Sequence, residues 1–338
     1  MTSPARRGSS RRTDRALDSY PDTLVKELAT ILGEDELVAV RVISAAITGG
    51  ETKNDDQSIE NWIHQQLKPN LVFLDKKGYT EQALDALKTL STQVLTDFGT
   101  SRQRDFGQAW ADKTRGYLGE AAVVIFLKKN FNLDTRLAHQ QGNPEDFYDS
   151  DIAEVKEGND YRPPKIFMGI KTTKFNGVWL DIAKEQFLKS NYHIQVKIGG
   201  GTSHLFSFFK EIGVFEENIL KVGLEENFLT QQEADQIYQD IPDFKPIPGY
   251  ITGFAVRDEE DGNFIYGGNK GRTNYTINSF RGLLPSDWAE QIKSREGMSS
   301  GSVKFESIGE FSSTGRYLFN TGALTRSFTE WEQIVSQL

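Results

Sequence analysis

The 338-residue chain contains no cysteine, and that absence removes disulfide scaffolds, thiolate-held zinc, iron–sulfur clusters and thiol nucleophiles together. Imidazole is scarce too: the four histidines are His64, His139, His193 and His204. None has a partner pattern around it, and His193 and His204 read as core-edge or surface residues on strand-like segments. No stretch of 18 apolar residues occurs, and the arginines near the start lead into no apolar run. A membrane-spanning helix and a signal peptide are therefore not expected, which points to a cytoplasmic protein with no membrane partner. The Gly-rich segment GGNKGRTNY lacks the spacing and the lysine of a phosphate-binding P-loop, which weakens a nucleotide-hydrolysis reading. Positive charge is also short, with 39 Lys+Arg against 48 Asp+Glu and a net charge of −9. A protein that coats nucleic acid indiscriminately is not expected from that balance.

What is present is enough apolar material for a real core, including 22 Phe, 11 Tyr and 5 Trp, in a chain long enough for one large domain or two. Four segments separate by pattern. Residues 1–19 form a basic tail with Arg6, Arg7, Arg11, Arg12 and Arg15, read as disordered. Residues 20–101 carry helical spacing throughout and read as an all-helical lead-in. Residues 102–215 open with the helical run GQAWADKTRGYLGEAAVVIFLKKN and continue as short strands: SDIAEV, KIFMGIKTT, GVWLDI, HIQVKI and HLFSFF. Between the third and fourth of these, AKEQFLKSN reads as a crossover helix. Residues 216–338 return to short strands and loops, with helices at PSDWAEQIK and FTEWEQIVSQL. The five tryptophans, Trp62, Trp110, Trp179, Trp288 and Trp331, read as packing residues. The fold class is α+β with a central mixed β-sheet flanked by helices, a helical N-terminal region and a β-rich C-terminal region.

Chemistry is sought where ionisable residues interrupt apolar strands, because burying them has a cost that needs a reason. Asp151 follows Asp149 at the start of one strand, and Lys171 lies near the end of another, on the face shared with Gly169. On two adjacent antiparallel strands, an acid near the start of one can lie beside a lysine near the end of the next. Such a pair suits magnesium, which takes one or two carboxylates and completes its shell with waters and phosphate oxygens. A plain strand-end salt bridge is the alternative.

The order of a helix carrying Gly119-Glu120, a strand with Asp151, a hairpin, a strand ending Ile170-Lys171-Thr172-Thr173, a helix with Gln186 and a further strand resembles the core of PD-(D/E)xK nucleases, type II restriction endonucleases in particular. Within that family the chain is similar to an ApaLI-like subfamily. The resemblance implies a restriction-endonuclease-like core, a Mg2+ cofactor, and catalytic residues Glu120, Asp151 and Lys171, with the two acids as metal ligands. It also implies sequence-specific hydrolysis of double-stranded DNA to 5′-phosphates, a homodimer, a cognate DNA methyltransferase and a bacterial cytoplasmic setting. The family's carboxylate two residues before the lysine is replaced here by Gly169, and Glu185, fourteen residues after Lys171, is the candidate replacement for both metal binding and catalysis. A second register, Pro144-Glu145-Asp146 with Glu154-Val155-Lys156, competes, although the polar EGNDYRPP after Lys156 predicts a solvated side chain.

For DNA contacts, Lys174 and Asn176, with Thr172 and Thr173, follow the lysine and have the chemistry of phosphate partners. Lys270, Arg272, Asn274 and Asn269 in GGNKGRTNY are of the types that read base edges in the major groove, in what is otherwise a basic turn. The negative patches EDFYDSD and DEEDG leave positive charge local, in the arginine tail and in these two segments. Two other readings stay open: a DNA-binding protein that keeps the nuclease fold with a broken site, motivated by Gly169, and a nuclease acting in DNA repair.

Overall fold

The computed structural model describes residues 20–92, 106–141, 150–200, 204–257 and 316–338, with the short strands at 264–266, 304–305 and 309–310. The chain begins with α1 (Asp22–Leu32), α2 (Glu36–Thr48) and α3 (Asp56–Trp62, extended by the π turn Ile63–Leu67). Val25, Leu28, Ala29 and Leu32 bury one stripe of α1, and Gly33 ends it at φ 68°, a left-handed cap that glycine adopts without a Cβ penalty. Asp35 and Asp55 cap the next two helices by accepting from Val38 N and Ser58 N.

The lead-in is not all helical. Leu71–Leu74 form β1, an apolar run too short for a stable helix and stabilised by antiparallel pairing to a strand more than 170 residues away, Leu71 opposite Tyr250. Two long helices follow, α4 (Lys76–Thr92) and α5 (Phe106–Phe131). Next come β2 (Thr135–Leu137), β3 (Ile152–Glu157), β4 (Asp160–Arg162), β5 (Met168–Lys174), β6 (Trp179–Ala183), the short α6 (Lys184–Phe187) and β7 (Tyr192–Ile198). The segment HLFSFF is a second correction: it belongs to a helix, α7 (His204–Glu211), and not to a strand. His204, Ser207 and Phe208 are its buried positions, the i, i+3, i+4 pattern of one helical face, which an apolar run this short leaves ambiguous. After the π turn Phe215–Leu220 come α8 (Lys221–Glu225), α9 (Gln231–Asp240), β8 (Ile247–Val256), β9 (Phe264–Tyr266), β10 (Lys304–Phe305), β11 (Gly309–Glu310), β12 (Arg316–Asn320) and α10 (Phe328–Gln337).

The central sheet has the order β1-β8-β7-β5; β5 and β7 are parallel and the other pairs antiparallel, so the sheet is mixed. A parallel pair needs a crossover, which β6 and α6 provide. Strand β1 from the first helical segment and β8 from the C-terminal segment lie in the same sheet as β5 and β7. Smaller sheets have the orders β2-β3-β4 and β6-β12-β9. Helix α5 packs Ala122, Val123, Phe126 and Leu127 into the main core with Ile170, Ile194, Val196, Ile251 and Phe254. Trp331 of α10 closes that core edge-on against Phe126 and Phe254, with ring centroids 5.1 and 4.9 Å away. The architecture is α+β, with a mixed sheet flanked by helices.

One buried ion pair joins the N-terminal helices to the sheet. Lys197 of β7 donates to Glu51, whose other oxygen accepts from Tyr250 Oη at 2.9 Å and Trp62 Nε1 at 3.4 Å. The two charged side chains are 2% and 0% exposed. Although burial opposes ionisation, the Lys197 ammonium and then Arg326 hold the Glu51 carboxyl below its ordinary range.

Candidate active site

Helix α5 reaches β5 through a glycine. A Cβ on Gly119 would stand 1.9 Å from Thr172 Oγ1 and 2.9 Å from Thr172 Cβ, so only glycine allows this approach. One turn earlier, Thr172 Oγ1 donates to Gly116 O at 3.1 Å and fixes the helix along the strand. That hydroxyl is thereby engaged within the protein. Glu120, the next residue after Gly119, is carried to the edge of β5.

Asp151 arrives at the same edge by its backbone. Its N–H donates to Met168 O at 2.8 Å, and its carbonyl accepts from Ala138 N at 2.9 Å, which seats the residue between β5 and the end of β2. The side chain follows: Asp151 Oδ2 accepts a short hydrogen bond from Ile170 N. Burial, and then the neighbouring Glu120 carboxylate, push the Asp151 carboxyl up to about 7, against the opposing pull of the Ile170 N–H, Lys171 and His139. Lys171 Nζ donates to Gln186 Oε1 of α6 at 2.8 Å. Glu120, Asp151 and Lys171 are thus brought to one edge, with the acid just before β3 and held to β5 by its own backbone.

Gly169 is in register with His193 on β7. A Cβ there would meet His193 Nδ1 at 3.0 Å and Ser190 Oγ at 3.1 Å, so a side chain at 169 has no room unless these neighbours give way. His193 is buried, with Nε2 donating to Phe187 O at 3.1 Å and Nδ1 left without a hydrogen-bond partner. Burial lowers its imidazole to about 4, which keeps the ring neutral near pH 7. His193 and His204 are both core residues, 1% and 8% exposed, rather than edge or surface residues. The backbone of Glu185 lies in α6, next to the Gln186 that holds Lys171; its side chain lies outside the described residues. Asp149, the acids of the second register (144–146) and Lys270, Arg272 and Asn274 also lie outside them. Lys156 is exposed and Glu154 pairs with Arg136 at 3.0 Å. Lys174 and Asn176 are exposed at and just beyond the end of β5.

Sequence reasoning passed over a second ring of residues. His139, in the turn Ala138–Gln140, donates from Nδ1 to Glu120 Oε2 at 2.7 Å, and its Nε2 meets Gln82 Oε1 of α4 at 3.1 Å. Its imidazole stacks on Tyr117 at 3.7 Å and 5°. Tyr117 in turn shares a 2.9 Å hydrogen bond with Thr89, and burial raises its phenol to about 12. Lys113, lowered by burial, stands 5.3 Å over the same ring. No pattern along the chain marks them: it is the pairing of Arg136 with Glu154 across β2 and β3 that carries the chain leaving β2 past Asp151 and brings residue 139 there.

Among the described residues no group of three or more His, Asp or Glu side chains is assembled to hold a metal ion. Two oxygen donors, Glu120 and Asp151, are near enough for the charge of the first to raise the carboxyl of the second. Two neighbouring carboxylates suit a hard divalent cation that brings its own waters. Comparison with family models, curated proteins and solved structures finds no match to this chain.

Proposed function

We propose that the chain is a magnesium-dependent endonuclease of double-stranded DNA, of the type II restriction kind. The observation that carries the reading is the convergence of Glu120, Asp151 and Lys171 on one strand edge, delivered by a helix, the residue that precedes a strand, and a strand, in the chain order of a PD-(D/E)xK core. In this reading Glu120 and Asp151 hold Mg2+, which when bound lowers the pKa of a coordinated water and neutralises charge on the phosphate. Lys171, steadied by Gln186, orients the attacking water and stabilises the negative charge that builds on the phosphoryl oxygens. Water oxygen bonds to phosphorus, the P–O3′ bond breaks, and a 5′-phosphate and a 3′-hydroxyl remain. Exposed Lys174 and Asn176 beside the site have the chemistry to hold the backbone in register. Two-fold symmetry of a palindromic target makes a homodimer the expected assembly, and a cognate methyltransferase the expected partner.

The net charge of −9 is compatible with this reading, because much of it is concentrated in one segment. Residues 204–241 alone carry eight acidic against two basic residues, in the helices that follow β7. In a plasmid digest with Mg2+, discrete fragments are expected from the wild type and none from Lys171→Ala. Full cutting by Lys171→Ala overturns the assignment.

One observation favours a second reading, a DNA-binding protein with the nuclease fold and an impaired site: the position of the missing carboxylate, Gly169, is crowded by His193 and Ser190. Sequence-specific DNA binding without cleavage in Mg2+ or Mn2+ would select it.

A further inference from the structure

The two carboxylates at the site repel one another, yet the Glu120 side chain, only 15% exposed on α5, is kept near Asp151 against that repulsion. What holds it is an imidazole. We infer that His139 is a positioning residue that clamps the Glu120 carboxylate at the site, through a bond to Glu120 Oε2 that is itself braced by Gln82 and Tyr117. The inference rests on the reading of Glu120 and Asp151 as a cation site.

The geometry argues for a clamp rather than a chance contact. The His139 side chain is only 8% exposed, and it is constrained in three directions at once. Nδ1 is committed to Glu120 at 2.7 Å, Nε2 to Gln82 at 3.1 Å, and the ring face lies flat on Tyr117 at 3.7 Å. Both braces are anchored elsewhere: Gln82 is 2% exposed on α4, and Tyr117 is tied to Thr89 on the same helix. Asp85 of α4 stands 4.0 Å from Nε2 and adds its charge to the same pocket. The ring therefore cannot turn without breaking a contact on each side. Glu120 Oε2 is taken by the imidazole, while Oε1 has no hydrogen-bond partner among the described residues and is left for a ligand. This is how outer-shell partners of metal-binding carboxylates work: they fix the orientation of the donor and make no contact with the ion.

The chain of contacts also explains why helix α4 takes part in a site whose reacting groups all lie on other elements. Gln82 sets the far end of the clamp, and Trp110 Nε1 donates to Ala83 O at 2.8 Å, so α4 and α5 are held together beside the site.

The test is titration calorimetry of Mn2+ into the full chain, with thermal melts run alongside. Wild type is expected to bind, and Asp151→Ala to abolish binding. His139→Ala is expected to weaken the affinity by about 10- to 100-fold, the range typical of outer-shell losses. His139→Gln, whose amide still reaches as a donor, is expected to recover most of it. If His139→Ala does not fold, Gln82→Leu carries the test, with a several-fold loss expected. Wild-type affinity in folded His139→Ala, or in Gln82→Leu where that variant carries the test, overturns the clamp and leaves the cation site standing. Equal weakening by the Ala and Gln variants, tracking equal losses of melting temperature, marks His139 as plain scaffolding and also overturns it. A wild type that binds no Mn2+ removes the clamp and the cation site together.

Discussion

Two glycines one turn apart on α5 make opposite predictions from the same helix. Gly116 has nothing within 4 Å of where a Cβ would sit, whereas a Cβ on Gly119 would lie 1.9 Å from Thr172 Oγ1 and 2.9 Å from Thr172 Cβ and Cγ2. Gly116→Ala should gain the helix-propensity difference, up to about 1 kcal/mol. Gly119→Ala gains the same amount but must also restore carbon contacts to about 3.5 Å, by backing the helix off β5 or turning Thr172. Backing off opens the core on that side, and turning Thr172 sacrifices its hydrogen bond to Gly116 O. Overpacking of this kind costs about 1–3 kcal/mol and the lost hydrogen bond about 1 kcal/mol. The net expectation for Gly119→Ala is destabilisation by about 1–3 kcal/mol. Paired denaturant melts of the two variants test this by sign, with no need for an absolute scale. A second consequence is local: Glu120 moves with the helix, so Gly119→Ala should also weaken Mn2+ binding, while Gly116→Ala leaves it unchanged. If Gly119→Ala is as stable as Gly116→Ala, the close approach of α5 to β5 is wrong, and with it the geometry that brings Glu120 to Asp151.

Glu51→Gln should cost about 3–5 kcal/mol, because it leaves Lys197 buried without its counter-charge. Since the Glu51 carboxyl is held below its ordinary 4.5, its contribution is fully present above that pH and is lost as pH falls through the depressed value. Melting temperatures between about pH 3 and 7 should therefore fall on the acid side less steeply in Glu51→Gln than in wild type; parallel curves would refute the pairing. Gly169→Asp, which rebuilds the family's carboxylate on paper, should destabilise the protein and confer no cation affinity, because its Cβ meets His193 Nδ1 at 3.0 Å and Ser190 Oγ at 3.1 Å. Adding His193→Ala to it should release the strain and let the new carboxylate act, and a gain in Mn2+ affinity from Gly169→Asp alone would sink that argument.

Much of the scaffold was legible along the chain. The 26-residue helix Phe106–Phe131, the strands around Asp151, Lys171 and Trp179, the crossover through α6 and the final helix all follow from local apolar periodicity and from Gly and Pro punctuation. Periodicity fails where a run is short. LVFL and HLFSFFKE each bury a face, and only their neighbours decide whether that face has period 2 or 3.6.

For the candidate site the division is sharper. The absence of cysteine and the placement of Asp151 and Lys171 beside or within apolar runs point, along the chain alone, to oxygen donors and an ammonium. Linear order could not reveal what crowds position 169, since that is the side chain of a strand 24 residues later, in register with it. Nor could it reveal His139, whose partners Glu120 and Gln82 lie 19 and 57 residues away. Local propensity is a property of neighbours in sequence, so the chain by itself set most of the elements. Burial, electrostatic pairing and hydrogen bonds between distant segments exist only once those elements pack, and that packing decided which carboxylates face one another and what holds them there.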